Sequence, residues 1–497
     1  MPAAASAPLP PTTPVIIGVG QFLNRDDDAP MDPIALAVAA ARLAGDDSTA
    51  RAVLDDLDAI AVVPIVSWRY SDPGRLIAAA LGAEPSLTLH PTMGGNTPQM
   101  LVNRVCERIA AGEISSALVC GAEAYRTRMR AKKGGATLDW DRQDPALVPS
   151  WTDSTSFDMG HPAELALGIM MPTQTYPLFE NALAHQAGRS SAEQTTVIAE
   201  LWARYSAVAA ANPLAWDRTG YSATEIATVT ASNRIVGFPY TKHMVSNPDV
   251  DMASATIICS VERATQLGVP RELWVFPQSG ADGKDPYLSE RTSFTSSAAI
   301  RYAGRAALDL AGVTIDDIAH LDVYSCFPSA VEIACSELEI PLDRQLTVYG
   351  GLCFAGGPWN NPVGHAIAAM VGVLRDDPAS FGLVTANGGN IQKHSFGVYS
   401  TEPPAAGFRT ATPQLAIDSE QRCEVTEGYQ GPATIETWTV IHERDGSAGR
   451  AHAVLRTPSG ARAWAVSNDA EIAAALEAAD LIGEAVTIGA DSALALG

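Results

Sequence analysis

Cysteine and histidine side chains in three short stretches of the last third of the chain are best suited to acid–base chemistry. Cys326 ends the apolar run "LDVYSCF" before a predicted helix, whose dipole can stabilise a thiolate. His365 in "NNPVGH" and His394 in "QKHSFG" carry imidazoles, which titrate near neutral pH. The alternative is that all three are packing residues, since most free cysteines are buried as small hydrophobes and a core histidine bonds to backbone.

The elements that must position these residues follow an alternating pattern. Before residue 125 the predicted strands and the helices between them are "VIIGVGQF", "DPIALAVAAARLA", "LDAIAVVPIV", "GRLIAAALG", "SLTLH" and "SSALVCGAEA". Strands that alternate with helices predict a parallel α/β sheet. The same rhythm resumes near residue 255, so the chain is expected to contain two similar α/β halves, a weak internal repeat of pattern rather than of letters.

Between the halves and after them the pattern changes. Residues 125–248 are rich in Trp, Pro and Tyr and contain long helical segments, which indicates either an independent domain or a long insertion that covers a site. Residues 408–497 contain short strands separated by turns such as "DGSAG" and "PSG", a pattern typical of a small barrel or sandwich. The predicted units are therefore 14–124, 125–248, 249–405 and 408–497.

Composition excludes several classes of protein. A net charge of −23 over 497 residues opposes binding to nucleic acid or to an anionic membrane; the basic run "YRTRMRAKK" at 125–133 is a local exception. Seven cysteines without CxxC pairs argue against a disulfide framework or a zinc site. With neither a signal-peptide pattern nor an apolar stretch long enough for a membrane helix, a cytoplasmic protein is expected.

Several ordered motifs between about residues 14 and 405 resemble those of the thiolase superfamily. "GGNTPQMLVNRVCERIAAGEISSALVCGAEA" resembles the family's block of nucleophile, helix and strand, and "LDVYSCF" resembles the HDCF motif of the sterol-carrier-protein-type thiolases. "YGGLCFAGGPWNNPVGHAIAAM" stands where the family has its GHP motif, and "TANGG" where it has its CxG turn. The layout with extra C-terminal strands is most similar to the thiolase-like proteins of type 1.

The resemblance implies a fold and a class of ligand. The implied fold is α/β, with two halves layered αβαβα, an insertion called the loop domain, and an additional C-terminal antiparallel β-barrel. The implied ligand or substrate is an acyl-coenzyme A thioester, with no other cofactor and with neither nucleic acid nor membrane as a partner. A thiolase-type homodimer is compatible with the resemblance, but the extra barrel leaves a monomer open.

Three positions depart from the catalytic pattern of the family. The nucleophilic cysteine falls at Gly95, or at Asn96 in the sterol-carrier-type spacing; the GHP histidine falls at Gly357, and the CxG cysteine at about Thr385. Because none of these residues can form a thioester or replace the histidine, ordinary thiolysis or Claisen condensation is not expected. A "GHP" triplet does occur at 160–162, but it lies in the insertion, outside the context the motif requires, and receives no catalytic role.

The resemblance assigns roles to the remaining candidates. Cys326 matches the HDCF cysteine, which shuttles a proton in that family, and Tyr324 takes the place of its histidine. A tyrosine also stands there in the related steroid side-chain retro-aldolases, which implies phenol acid–base chemistry, with aromatic packing as the alternative. The "YSCF", "NNPVGH" and "TANGG" loops are expected to converge, so that His365 and His394 lower the pKa of Cys326 and make it the fastest cysteine to be alkylated.

Uncharged and basic residues are assigned to ligand binding. Asparagines in glycine-rich turns are suited to holding a thioester carbonyl, although Asn is also a common turn residue. The basic run is expected to meet the phosphates of coenzyme A, or else to be a solvated charged stretch. The predicted binding residues are Asn96, Asn360, Asn361, Asn387, Gly388, Arg126, Arg128 and Arg130.

Two classes of function follow. The first is a thiolase-like, acetyl-CoA acetyltransferase-like enzyme of non-standard mechanism, active in residual acyl transfer or in retro-aldolase-type C–C cleavage. The second is a catalytically silent subunit that binds an acyl-coenzyme A or a partner. The thiol pKa of Cys326 is the property expected to distinguish them, because proton transfer near neutral pH requires a lowered value.

Overall fold

The structure of the protein is a computed structural model that describes residues 9–153 and 159–496. Its strands are β1 (Pro14–Leu23), β2 (Ala59–Val62), β3 (Leu87–Leu89), β4 (Ser116–Ala124), β5 (Ile235–Gly237), β6 (Tyr240–Thr241), β7 (Asp251–Ser260), β8 (Phe276–Lys284), β9 (Ile318–Asp322), β10 (Phe381–Gly388), β11 (Lys393–Ser400), β12 (Arg409–Ala411), β13 (Gly431–His442), β14 (Ala448–Arg456), β15 (Arg462–Ser467), β16 (Ala485–Ile488) and β17 (Leu494–Leu496).

The helices follow the same chain order. They are α1 (Pro33–Asp47), α2 (Pro73–Leu81), α3 (Thr97–Ala110), α4 (Tyr125–Gly134), α5 (Pro162–Ala166), α6 (Pro172–Gln186), α7 (Ser191–Ala211), α8 (Ala223–Ala227), α9 (Val261–Gln266), α10 (Ala298–Ala311), α11 (Pro328–Glu337), α12 (Pro362–Asp376), α13 (Gln414–Asp418) and α14 (Ala470–Ala478). Short 3₁₀ turns and one π turn, Gly351–Ala355, complete the regular structure of the residues described. Within the described ranges, each helix is too short or too polar to cross a membrane.

Local sequence accounts for the ends of these helices. Asp32 caps α1, because its Oδ1 accepts the amide proton of Ala35 at 2.9 Å, and Pro33 suits the first turn. Ser190 and Glu193 form a capping box at the start of α7. Gly312 ends α10 in the left-handed conformation, with φ of 73°, which glycine adopts without a steric penalty.

Two five-stranded sheets repeat one topology. The first has the order β1-β7-β4-β2-β3 and the second β12-β8-β11-β10-β9. In both, two antiparallel pairings are followed by a parallel one: β1–β7–β4–β2 in the first sheet and β8–β11–β10–β9 in the second. The predicted internal repeat is therefore present in strand order and direction.

The two sheets share a central layer of helices. α3 and α12 contact strands of both sheets, whereas α1 packs on the outer face of the first sheet and α10 on that of the second. This arrangement gives the layered αβαβα order expected from the sequence. β7 is buried along its whole length because it lies between β1 and β4 with helices on both faces.

The sheets cross the predicted domain boundaries. β7 lies beyond residue 249, in the predicted second half, yet it completes the first sheet. β12 lies beyond residue 405 and pairs with β8 of the second sheet. In the insertion, Trp151 bonds to the edge strand β3: its amide donates to Thr88 O at 3.0 Å, and His90 N donates to Trp151 O at 3.0 Å.

The C-terminal unit is an open antiparallel sheet rather than the closed barrel that the resemblance implied. Its strands have the order β15-β14-β13-β16-β17. Closure would require a ladder of hydrogen bonds between β15 and β17, but among the described residues they are joined by one bridge, Val466 to Ala493. α14 packs on one face, and Val454, Trp464 and Val466 on the other belong to the main core.

Candidate functional site

A cavity of about 250 Å³ lies where loops from both halves meet the insertion. Loops before α3, α11 and α12 and the end of β10 form its floor, and the first turns of α6 form one wall. Most of the surface is apolar: Val66, Met93, Met171, Phe327 and Trp359 line it. Among the described residues, its lining includes no Asp, Glu, Lys, Arg or His. The cavity therefore suits an uncharged, largely apolar group.

Tyr324 fills the place next to Gly95, where the family nucleophile is expected. A Cβ atom built on Gly95 would overlap the Tyr324 hydroxyl oxygen and lie 2.5 Å from the carbonyl oxygen of Asn387. Tyr324 itself is fixed through its backbone amide, which donates to Thr385 Oγ1 at 2.9 Å. The phenol and a side chain at position 95 thus compete for one volume.

The other two family positions are also taken up by structural contacts. A Cβ atom on Gly357 would overlap Ser246 Oγ and lie 3.2 Å from Leu352 O. Thr385 is buried, and its hydroxyl is the acceptor that holds the Tyr324 backbone. Gly357 lines the cavity, but Ser246 occupies the volume that an imidazole at this position would need.

Cys326 lies in the cavity wall, but its thiol is not activated. Burial raises the pKa of Cys326 to about 12, against the smaller opposing effects of its hydrogen bond to Tyr176 and of nearby backbone. Asn387 Nδ2 lies 3.9 Å from its sulfur. The expectation of a lowered thiol pKa is therefore corrected: the local environment is apolar, and desolvation outweighs the hydrogen bonds to the thiolate.

We expect iodoacetamide to label Cys423 before Cys326. At about pH 8, a thiol with the Cys326 pKa is ionised in roughly one molecule in ten thousand, and the residue is only 8% exposed. Cys423 is partly exposed, and the guanidinium of Arg456 lies 2.5 Å from its sulfur. Peptide mass spectrometry over a time course measures the order, with Cys423→Ser as the control that removes the fast site. Labelling of Cys326 at the Cys423 rate or faster would refute this ordering.

The two histidines do not line the cavity. His365 lies on α12 and is fully buried; its Nδ1–H donates to Gln21 Oε1 at 2.8 Å, and burial lowers its pKa to about 3. His394 lies on β11, 3.9 Å from Asp285, and burial lowers its pKa to about 4 despite that carboxylate. Contrary to the expectation from the sequence, the two imidazoles therefore do not meet Cys326 in the cavity. Their side chains contact Gln21 and Asp285 in the protein core instead.

The predicted asparagines divide into cavity residues and structural residues. Asn360 and Asn387 line the cavity beside Gly388. Asn361 does not: its Nδ2 donates to Gly121 O at 2.8 Å, which joins α12 to β4. Asn96 begins α3 and lies outside the lining, with its buried Oδ1 lacking a partner among the described residues.

The basic run forms α4, and part of its charge is neutralised. Arg126 is paired with Asp27 at 3.1 Å, and Arg130 is paired with the same carboxylate. Arg128 donates to Val66 O at 2.9 Å, next to the cavity wall. None of the three arginines lines the cavity, so any contact they make with a ligand is made outside it.

Tyr176 is a cavity residue that the sequence did not single out. Its hydroxyl accepts from Asn387 Nδ2 at 3.1 Å and donates to Gly389 O at 3.1 Å, and its ring stacks on Phe327 with centroids 4.4 Å apart. The stretch "TYPLFENALAHQAGRSSAEQ" indicated the insertion, but no feature of the sequence showed that its first tyrosine returns to the second sheet.

Comparison with known proteins gives the same assignment for the whole chain and for its C-terminal part. Residues 413–493 match the thiolase-like protein type 1 additional C-terminal domain. The crystal structure of a monomeric SCP2-thiolase like protein type 1 from Mycobacterium smegmatis is 33% identical, with a TM-score of 0.83, and the match covers 98% of this chain and 100% of that one. No curated protein matches the chain.

More distant structures share the fold alone. An Ltp2-ChsH2(DUF35) aldolase is 18% identical with a TM-score of 0.58, over 79% of this chain and 99% of that one. An acetyl-CoA acetyltransferase from Syntrophomonas wolfei is 16% identical with a TM-score of 0.54, over 78% and 99%. Because the type 1 protein is 33% identical over 98% of this chain and the additional C-terminal domain is matched as well, the chain belongs to the family of SCP2-thiolase-like proteins of type 1 within the thiolase superfamily.

Proposed function

We propose that the cavity binds the acyl end of a coenzyme A thioester and that the protein forms no acyl-enzyme. The observation that carries this proposal is the contact between Tyr324 and Gly95, because the phenol occupies the volume that a nucleophile at position 95 would need. An acyl-enzyme requires an activated nucleophile within reach of the carbonyl carbon. The apolar cavity supports binding, and its filled nucleophile position supports the absence of covalent transfer.

The titratable groups of the cavity support the same proposal. Among the described residues, those that line it are Tyr176, Tyr324 and Cys326. Burial raises the pKa of both tyrosines well above the usual value, and the pKa of Cys326 is about 12. General acid–base catalysis works best with a group whose pKa lies near the working pH. A binding protein therefore fits this cavity better than an acyltransferase does.

The remaining cations of α4 suit the phosphate end of such a ligand. Arg128, Lys132 and Lys133 are exposed, and Arg128 is bonded to the carbonyl of Val66, which lines the cavity. Exposed cations near a cavity mouth attract anions through a local field even when the net charge is negative. We therefore assign the phosphates to this face of α4, outside the cavity.

A blocking substitution is expected to remove thioester binding. Val245 lines the cavity, so Val245→Trp should fill part of it and weaken octanoyl-CoA binding more than about tenfold, since the acyl group loses its buried contact area. Val229→Trp is the matched control, because Val229 is 56% exposed and lies outside the lining. Isothermal titration calorimetry measures both variants.

Two outcomes of that titration would count against the proposal. Equal octanoyl-CoA affinity in Val245→Trp and wild type would place the acyl group elsewhere. Equal affinity for octanoyl-CoA and for octanoyl pantetheine, which lacks the nucleotide phosphates, would remove α4 from the site while leaving the acyl cavity in place.

A second candidate, C–C cleavage by proton transfer, is favoured by the two phenols of the cavity. Tyr324 and Tyr176 both line it, and a phenol can act as a general acid or base if its pKa is lowered on ligand binding. This activity would appear as release of a carbonyl product from a 3-hydroxyacyl-CoA, abolished by Tyr324→Phe. If wild type releases no carbonyl product, C–C cleavage is ruled out and the binding function is the one supported.

A further inference from the structure

Two glutamates that the proposed function does not use lie buried together behind the cavity. Glu180 on α6 is fully buried and Glu332 on α11 is 8% exposed. One amide serves both, since Gln194 Nε2 donates to Glu180 Oε1 at 2.5 Å and to Glu332 Oε1 at 3.1 Å. The two carboxyl groups are therefore close neighbours, since one nitrogen atom bonds to an oxygen of each. Within the described ranges, neither forms an ion pair.

The surrounding donors distinguish the two carboxyl groups. Glu180 accepts from Gln194 and, through Oε2, from the Tyr240 hydroxyl at 2.6 Å, so donors surround it as they would a carboxylate. Burial and the neighbouring charge of Glu180 raise the pKa of Glu332 well above its usual value. Two buried carboxylates that share one donor atom cannot both be ionised without a large repulsion. One proton is therefore shared, and Glu332 is its main carrier.

A chain of hydrogen bonds joins this carboxyl pair to the cavity wall. Tyr240, which donates to Glu180, accepts from Ser329 N at 3.3 Å. Ser329 Oγ donates to the carbonyl oxygen of Tyr176 at 3.2 Å. Tyr176 lines the cavity and stacks on Phe327, the residue before α11. The pair thus sits where α6, which carries one wall, is joined to α11, which follows the cavity floor.

We propose that the proton shared by Glu180 and Glu332 acts as a clamp that holds α6 against α11 and keeps the cavity in its binding shape. Loss of that proton puts two negative charges side by side in a buried site, and the charges separate by moving the helices apart. Glu180 and Glu332 are positioning residues in this role, because they act on the ligand only through Tyr176. The ligand part of the inference rests on the proposed thioester binding.

Other charged and titratable groups around the pair are few. Arg189, just before α7, donates to Gln194 Oε1 at 2.9 Å. Its positive charge lowers the pKa of Glu332, against the larger effect of burial. From α11, Cys335 faces the pair, and burial holds its pKa at about 12. Tyr240 on β6 also faces the pair, and its pKa is raised by burial and by the charge of Glu180. Glu332 is therefore the group expected to change charge as the pH rises.

Paired glutamine variants test the clamp. Glu332→Gln keeps a neutral donor toward Glu180, so its affinity for octanoyl-CoA should not change between about pH 6 and about pH 10. Wild type should lose about tenfold in affinity for each pH unit above the titration of the pair, since only the protonated form is competent. Glu180→Gln, which removes the negative charge and replaces one of the two acceptor oxygens with an NH2 donor, should bind weakly at every pH. The same pH profile in wild type and Glu332→Gln, or equal effects of the two variants, would overturn the clamp.

An infrared measurement separates this inference from the proposed function. A carboxylic-acid C=O band should be present in wild type near neutral pH, absent from Glu332→Gln in the difference spectrum, and lost from wild type as the pH rises. Failure of every thioester to bind would end the proposed function but leave this band as evidence for the shared proton. If Glu332→Gln does not fold, the pH titration of the wild-type band decides. Absence of the band from wild type at neutral pH would overturn the inference.

Discussion

Gly95→Ala is expected to lower the free energy of unfolding by about 1–3 kcal/mol, the usual cost of inserting a methyl group into a packed site. The added Cβ would lie 2.5 Å from Asn387 O and would overlap the Tyr324 hydroxyl. Because one of these atoms is backbone, the neighbours cannot move aside at low cost. Urea unfolding monitored by circular dichroism measures the change.

Two further variants isolate the cause. Gly372→Ala is the matched control, since a Cβ on Gly372 meets no atom within 4 Å and the residue is inside α12, where alanine is preferred over glycine. Adding Tyr324→Phe to Gly95→Ala should recover part of the lost stability, because the nearest overlapping atom is removed. Gly95→Cys should likewise be destabilised and should not catalyse thiolysis of acetoacetyl-CoA. A stable and thiolytic Gly95→Cys would show that the phenol does not block this position.

Arg462→Met is expected to cost about 3–5 kcal/mol, as removal of one member of a buried ion pair does. Arg462 is fully buried; its Nε donates to Glu436 Oε2 at 2.8 Å, and its Nη1 donates to the carbonyls of Leu288 and Ser289 at 3.0 Å each. The two bonds to these carbonyls join the C-terminal sheet to the second half. Loss of the guanidinium leaves a carboxylate and several carbonyl groups without this donor.

The comparison for Arg462 is an arginine at the surface. Arg422 is 44% exposed and pairs with Asp418 at 3.1 Å, so Arg422→Met should change stability by less than about 1 kcal/mol. Limited proteolysis should also release the C-terminal sheet earlier in Arg462→Met than in wild type. Equal stability of the two variants would mean that the sheet is held by apolar contacts alone.

The architecture could be predicted from the sequence because its signals are local. Buried strands read as continuous apolar runs, and helices begin and end at residues such as Asp32 and Gly312 that cap them. The family motifs then fixed the order of these elements. Strand pairing was less predictable: β7 follows the insertion in the chain but completes the first sheet, and no local pattern indicates which sheet a central strand joins.

The site was predicted only in part, because side-chain direction is not a local property. Tyr324 and Cys326 follow β9, and Asn387 lies at the end of β10; both strand ends meet at the cavity. His365 is one helical turn after Asn361 and lies on the same side of α12, which faces Gly121 and Gln21 of the first sheet rather than the cavity.

Long-range partners were also outside the reach of the motifs. Asp27 neutralises Arg126 from about a hundred positions earlier in the chain. Tyr176 reaches the cavity from the insertion, whose path the sequence did not define. The same limit applies to the C-terminal sheet, where strand pattern alone could not decide between a closed barrel and the open sheet observed.

Mass spectrometry of the protein incubated with octanoyl-CoA tests the central claim most directly. Under native conditions we expect a complex whose mass is that of the chain plus the intact thioester, because the cavity holds the acyl group without an activated nucleophile. Under denaturing conditions the same sample should return to the mass of the chain alone. The Gly95→Cys variant should give the same result. An octanoyl group retained on the denatured wild-type chain would show that an acyl-enzyme forms, and would contradict the account.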